Sequence, residues 1–205
     1  MFKELSYLEL KLLKSLSTPF SIQNFIDTLQ INFEKEGETL QSPRRVLKSK
    51  KVHCMEAALL AAAALWLSGK EPLLLDLKAD GIDEDHVLAL YKINGCWGAI
   101  SKSNHATLRF RDPVYRTPRE IALSYFHEYL DGNRLKKSLR SYSKPFDLRR
   151  LGTKWITAEE DLWDIAVMLD DSPHFRLFPK QNETLLRLPD NMERKTEALR
   201  EWSVR

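Results

Sequence analysis

Apolar residues recur at helical spacing near both ends of the chain and form short continuous runs in its middle. Residues 5–16 and 20–33 each place their apolar side chains on one face, which predicts two amphipathic helices. Residues 157–169 and 190–202 begin with polar capping residues and continue with the same spacing. The pattern therefore predicts helical layers on either side of a different central segment.

The central segment begins with the strongest helix prediction in the chain, residues 54–68. Alanine and leucine dominate this run, and Gly69 can take the left-handed conformation that often ends a helix. The many alanines allow a neighbouring element to approach closely, so we expect this helix to be central. Cys54 falls in its first turn, where free backbone N–H groups and the helix dipole favour a thiolate. The sequence predicts a buried helix with a reactive thiol at its start.

Short apolar runs after this helix predict strands. Residues 72–78 and 87–93 form two such runs, and Asn94-Gly95 is a strong hairpin signal that leads into a partner strand at 96–101. A strand at 107–111 and a capped helix from Thr117 to about residue 130 follow. The acidic turn between the first two strands lacks the spacing of a calcium loop, so we interpret it as solvated and predict no metal.

Composition is that of an ordinary globular protein, with 205 residues, 43% hydrophobic and 30% charged. This predicts a single domain over 1–205, with an N-terminal helical layer at 1–42, a core at 43–115 and a C-terminal helical extension at 116–205. No apolar run approaches the ~20 residues that span a bilayer, and the first residues lack a signal-peptide pattern. These two observations predict a cytoplasmic protein, and in that reducing compartment the two cysteines are expected as free thiols.

The net charge of +3 is small for this length, so general attraction to nucleic acid is not required. Five basic residues nevertheless lie between Arg44 and Lys51. We interpret them as a solvated segment that leads to the thiol. A nucleic-acid or nuclear-import patch, and tuning of the thiol or binding of an acidic substrate, are the alternatives.

A thiolate nucleophile needs a base, and the base needs a group that orients its imidazole. His86 opens the first hairpin strand, and residues 101–104 follow the second, so an orienting group is expected there. A lone cysteine is most often a small buried hydrophobic residue, but the helix start and His86 favour Cys54 as a nucleophile. His53 is adjacent to Cys54, and neighbouring residues diverge on a helix, so we interpret His53 as structural or as a substrate contact.

The order of Cys54, an alanine-rich helix, a hydrophobic strand, His86 and Asn94-Gly95-Cys96-Trp97 resembles the core of bacterial transglutaminase-like proteins, relatives of the papain-like cysteine peptidases. The resemblance covers residues 45–112, about a third of the chain. It implies an α+β fold with a transglutaminase-like (papain-like) core, in which a cysteine-bearing helix packs on a small antiparallel sheet, plus added N- and C-terminal helices. It also implies that Cys54 is the nucleophile and His86 the base.

The third catalytic residue does not carry over directly from the family. An aspartate orients the histidine there, and counting from Trp97 places the equivalent position at Ser101. Asparagine serves this role in papain-like peptidases, so Asn104 is the first choice and Asp112 the second, while Ser101 would orient the imidazole more weakly. Trp97 is interpreted as a core residue, with lining of the acyl pocket as the alternative.

These residues predict thiol-dependent acyl transfer or hydrolysis on a protein or peptide amide, as in a cysteine peptidase, an amidase or a transglutaminase. No cofactor is needed for this chemistry. The alternative is a non-catalytic binding module that keeps the fold without a working triad. The substrate, the acceptor and the oligomeric state stay open.

Overall fold

The computed structural model describes residues 2–35, 37–131 and 136–202 and shows a mixed α and β architecture. The α-helices are α1 (Tyr7–Ser15), α2 (Pro19–Asp27), α3 (Pro43–Ser49), α4 (Cys54–Leu67), α5 (Pro118–Phe126), α6 (Trp163–Asp170) and α7 (Asn191–Glu197). The strands are β1 (Gln30–Ile31), β2 (Lys51–Val52), β3 (Leu73–Lys78), β4 (His86–Ile93), β5 (Cys96–Ile100), β6 (Arg111–Tyr115), β7 (Leu130–Asp131), β8 (Lys136–Lys137), β9 (Ser141–Ser143), β10 (Phe146–Asp147) and β11 (His174–Arg176). Short 3₁₀ helices span Leu148–Leu151, Lys154–Ile156 and Lys180–Leu185.

Helix α4 lies at the centre of the fold, as the sequence predicted. Every residue from Met55 to Leu65 is buried, because α1, α2 and α3 pack on one side of the helix and β4 on the other. The helix ends where Gly69 takes a φ of 79° and Lys70 N donates to Leu65 O. The small alanine side chains permit this packing on several sides at once.

The main sheet has the strand order β11-β9-β3-β4-β5-β6, with antiparallel neighbours, and β10 also pairs with β3. Strands β4 and β5 form the predicted hairpin, in which Ile93 pairs with Cys96. Asn94 and Gly95 both have positive φ, 51° and 81°, which is the signature of a type I′ turn. This turn fixes the register that carries His86 towards the residues after β5.

Both faces of β3 and β4 are buried, which explains their continuous apolar runs. Leu74 and Ala89 pack in the core that contains α4, whereas Leu75 and Leu88 pack on the opposite face with Tyr125 of α5. Alternate residues therefore enter two separate cores.

The C-terminal part of the chain differs from the predicted helical extension at 116–205. Strands β9, β10 and β11 come from this part and extend the main sheet beyond β3. Helix α6 begins at Trp163 rather than at Thr157, since a 3₁₀ turn and a loop precede it. The strand expected at 107–111 is instead β6, which tolerates Pro113 because it lies at the sheet edge.

None of the helices within the described ranges has both the length and the apolar character needed to cross a bilayer.

Candidate active site

The start of α4 is fixed by a buried carboxylate, Glu56. Its Oε1 accepts hydrogen bonds from Thr39 Oγ1 at 2.9 Å and Gln41 N at 2.8 Å, and its Oε2 accepts from His53 N at 3.0 Å. The side chain is 0% exposed. Glu56 therefore ties the segment at 39–41 and the residue before Cys54 to the first helical turn. Glu56 was not among the residues predicted for the site, although an acid three positions after a helix cap is a capping-box signal.

The His86 imidazole binds a serine hydroxyl at the other side of the site. His86 Nε2 lies 2.8 Å from Ser101 Oγ, and Ser101 Oγ donates its hydrogen to Leu108 O at 2.9 Å. A hydroxyl has one hydrogen, so Ser101 must accept the hydrogen bond from His86 Nε2–H. In a neutral His86, Nδ1 then carries no proton and is available as an acceptor.

Helix α2 holds Ser101 in place through one side chain. Gln23 Nε2 donates to Ser101 O at 2.8 Å, and Ser101 N donates to Gln23 Oε1 at 3.0 Å. Ser101 is 3% exposed and His86 is 5% exposed. The orienting hydroxyl is therefore buried and fixed on both its backbone and its side chain.

The electrostatics favour a charged thiol at Cys54. Burial by itself would raise the pKa of Cys54, but interactions with the His53 and His86 imidazoles outweigh it and hold the pKa well below the usual value of a thiol. Burial likewise opposes protonation of His53, yet its interactions with the Cys54 thiolate and Glu56 raise its pKa to about 9. The thiol is therefore stabilised in its anionic form relative to an ordinary cysteine. Cys54 remains partly exposed.

Cys54 opens into a cleft of about 370 Å³. The cleft is bordered by Ile31, Asn32, Phe33, Glu34, His53, Cys54, Asp83, Glu84, Asp85, His86, Lys102, Ser103, Asn104, His105, Leu108, Tyr129, Leu130 and Arg200. Acidic residues from the turn before β4, and the basic residues Lys102 and Arg200, both lie at its border. It could admit a polar chain such as a peptide.

Asn104 and Asp112, the two preferred candidates for the orienting group, were wrong. The Asn104 side chain bonds the backbone of Trp202, and Asp112 is an exposed residue of β6. The hairpin register explains this result. Extending the β4–β5 pairing by one residue places Ser101 opposite Leu88, on the face that also carries His86, whereas Asn104 lies in the loop beyond the end of β5. Ser101, the third of the three candidates, is therefore the group that bonds His86.

The two substrate-contact candidates differ in position. Trp97 pairs with Lys92 near the hairpin turn, four residues before Ser101, or about 13 Å along a strand, and is not among the described residues that border the cleft. It packs, partly buried, against the core on the α5 side of the sheet, in line with the first interpretation of Trp97 as a core residue and not with the acyl-pocket alternative. His53 does border the cleft and interacts with Cys54. The expected divergence of neighbouring side chains does not apply, because His53 is the N-cap and has an extended backbone.

One group of carboxylates in the described residues could hold a metal ion. Asp76, Asp85 and Asp170 bring oxygens within 4.8 Å of one another at the β3 side of the sheet. Counter-charges already lie there, since Lys78 Nζ pairs with Asp170 and His174 Nε2 lies 3.1 Å from Asp76 Oδ2. The absence of a metal requirement stays a prediction.

Three of the five basic residues between Arg44 and Lys51 are engaged in ion pairs. Arg44 lies 2.7 Å from Glu9, Arg45 lies 2.7 Å from Asp161, and Lys48 lies 3.1 Å from Glu159. These pairs tie α3 to both ends of the chain and favour a structural role over an open polyanion-binding patch. No protein-family model matches the chain, and no curated protein matches it either.

Proposed function

We propose that the protein carries out thiol-dependent acyl transfer or hydrolysis on an amide, on a core of transglutaminase-like (papain-like) type. The observation that carries the proposal is the Cys54 thiol at the first turn of α4, interacting with His53 and His86 at the border of an open cleft. A helix start and cationic imidazoles are the conditions that convert a thiol into a nucleophile at neutral pH.

The two histidines take different roles in this proposal. His86 moves the proton, because its Nε2 is bound by Ser101 and its Nδ1 remains available towards the sulfur. His53 donates from Nε2 to Thr39 O at 2.9 Å, and its pKa of about 9 keeps it protonated near neutral pH. His53 therefore stabilises the thiolate charge, whereas His86 acts as the acid and base.

The reaction divides into two balanced steps. In the first, Cys54 Sγ attacks the amide carbonyl carbon, a C–S bond forms and the C–N bond breaks, while the His86 imidazolium gives its proton to the leaving amine. Backbone N–H groups of the first turn of α4 hold the oxyanion. In the second, water or an amine attacks the thioester and loses a proton to His86, which releases Cys54. Both steps need a reduced thiol, which suits a reducing compartment such as the cytoplasm.

The test is the pH dependence of Cys54 alkylation by iodoacetamide in a Cys96→Ala background. We expect Cys54 to react at about pH 6.5 at least tenfold faster than free cysteine, and His86→Ala to abolish most of that advantage. Cys54→Ser is the control for the labelled site. A Cys54 that titrates like a free thiol, or an unchanged rate in His86→Ala, contradicts the proposal.

A non-catalytic binding module is the second candidate, and a specific observation favours it. The group that bonds His86 is the neutral Ser101 hydroxyl, which stabilises an imidazolium less than a carboxylate does. Turnover separates the two functions. Release of amine from a peptide amide library, lost in Cys54→Ser, supports the enzyme. A reactive Cys54 that forms a stable adduct with no turnover supports the binding module.

A further inference from the structure

The C-terminal part of the chain pairs with residues 103–106, which we call the ledge. An antiparallel bridge joins His105 to Arg200, Ala106 N donates to Leu199 O at 3.3 Å, and Glu201 N donates to Asn104 O at 3.0 Å. These are the backbone contacts of one isolated antiparallel bridge, made outside the main sheet. The ledge thus accepts an extended peptide strand.

Asn104 holds this strand by a two-point contact. Its Nδ2 donates to Trp202 O at 2.9 Å, and Trp202 N donates to its Oδ1 at 2.7 Å. An amide that satisfies both the N–H and the C=O of one residue recognises the backbone and not the side chain. Such a contact can hold any extended peptide in one register.

A charged position accompanies the backbone contacts. Arg109 Nη2 lies 2.7 Å from Glu201 Oε2, and Lys102 Nζ lies 3.9 Å from the same oxygen. The Lys102 side chain is fully buried, and its Nζ has no hydrogen-bond partner in the described part of the chain. A buried, incompletely paired ammonium is costly, so the ledge favours a carboxylate beside it.

The ledge lies at the candidate active site. Asn104 and His105 border the same cleft as Cys54 and His86, and the ledge follows Ser101 directly in the chain. We propose that the ledge binds the substrate of this site as an extended peptide with an acidic residue beside Lys102 and Arg109, and that residues 199–202 occupy it in cis. This inference rests on the proposed function and adds a substrate class to it.

If residues 199–202 occupy the ledge, they must be released before a separate peptide can bind there. A tethered segment has an effective concentration on the order of millimolar, so a micromolar peptide in trans cannot displace it. Glu201→Pro in the full chain removes both the N–H that bonds Asn104 and the carboxylate beside Lys102. The vacated ledge should then accept a peptide.

The probe is a fluorescein-labelled peptide with the sequence of residues 197–202, and its binding is measured by anisotropy in a Cys54→Ser background. We expect Glu201→Pro to bind it at least tenfold tighter than the parent chain does. Adding Asn104→Ala, or replacing the peptide's glutamate that corresponds to Glu201 by glutamine, should each weaken binding at least fivefold.

Circular dichroism confirms that each variant is folded. Two results would contradict the proposal that the ledge binds an extended peptide. One is a folded Glu201→Pro protein that does not bind the peptide, and the other is binding that Asn104→Ala does not weaken. Because the background lacks the thiol, this result is independent of Cys54 alkylation. Peptide binding in a protein whose Cys54 is unreactive would support the ledge as a peptide-binding site and contradict the proposed catalysis.

Discussion

Two histidines of the main sheet are bound by side chains of opposite character. His86 bonds the hydroxyl of Ser101, whereas His174 lies 3.1 Å from the buried carboxylate of Asp76. Taken alone, the His174–Asp76 pair looks more like a catalytic dyad. The thiol, however, interacts with His86 and His53. The position of the nucleophile, and not the strength of a histidine–acid pair, therefore identifies the candidate site.

The largest expected effect is a pH dependence of protein stability that arises at the His174–Asp76 pair. Burial raises the pKa of Asp76 from 3.8 to about 6, so the folded protein keeps a proton that the unfolded chain releases. That stability is fully present below about pH 4 and is lost as the pH rises through about 6. Between these values, the free energy of unfolding of Asp76→Asn should gain about 3 kcal/mol relative to the parent.

Urea denaturation at several pH values measures this difference. Asp147→Asn is the matched control with the opposite sign, because a hydrogen bond from Arg149 lowers the pKa of Asp147. Its stabilising contribution is lost as the pH falls. Parallel pH profiles for Asp76→Asn and the parent would show that folding does not raise the pKa of Asp76.

A second prediction concerns a substitution in β5, because the β4–β5 pairing positions His86 and Ser101. Gly98 of β5 lies under the Tyr91 ring, and an added methyl group would overlap that ring and lie 2.7 Å from Arg111 O. We expect Gly98→Ala to lower the free energy of unfolding by about 2 kcal/mol and to slow Cys54 alkylation, because the overlap distorts the β4–β5 pairing locally.

Tyr91→Ala provides the background that tests this cause by urea denaturation. If the ring is the obstacle, Gly98→Ala should cost much less in that background than in the parent. An equal cost in both backgrounds assigns the effect to the backbone instead.

A third, smaller effect is expected at the orienting hydroxyl. Ser101→Ala leaves the buried His86 Nε2–H without its acceptor, which should cost about 1.5 kcal/mol of stability and slow Cys54 alkylation at about pH 6.5 about tenfold. Ser101→Thr keeps the hydroxyl and is the conservative control. A Ser101→Ala protein that is alkylated at the parent rate would show that Ser101 does not contribute to the reactivity of Cys54.

The smallest effect is expected at the second pair. His174→Gln keeps a hydrogen-bond donor for Asp76 and lies outside the described border of the Cys54 cleft. We expect it to leave Cys54 alkylation within about twofold of the parent rate, since distant sites act independently. A larger change, measured by the same iodoacetamide assay, would show that the His174–Asp76 pair is coupled to the His86–Ser101 pair.

The central helix and the hairpin could be predicted because local signals are strong there. The alanine-rich run, Gly69 and Asn94-Gly95 each specify their own conformation, and the structure has α4 and the type I′ turn where they were expected. Ser101 could also have been selected from the sequence. A two-residue hairpin fixes the register, and this places Ser101 directly after β5 on the face that carries His86.

The remaining features depend on contacts between distant parts of the chain. Strands β9, β10 and β11 are short and lack an alternating pattern, so only pairing with β3 or with one another defines them. The contact of Asn104 with Trp202 joins segments that no local pattern relates. Glu56 was missed because its partners, Thr39 and Gln41, lie in a loop.

The burial of α4 on several sides has a consequence for hydrogen exchange. Amides of a helix that is enclosed by the core exchange only when the whole domain opens, so α4 should be among the slowest segments to take up deuterium. Cys54 is thus anchored to the part of the protein that frays least. Its reaction with small electrophiles is therefore expected to report the native state, and to stay constant in urea concentrations too low to unfold the domain.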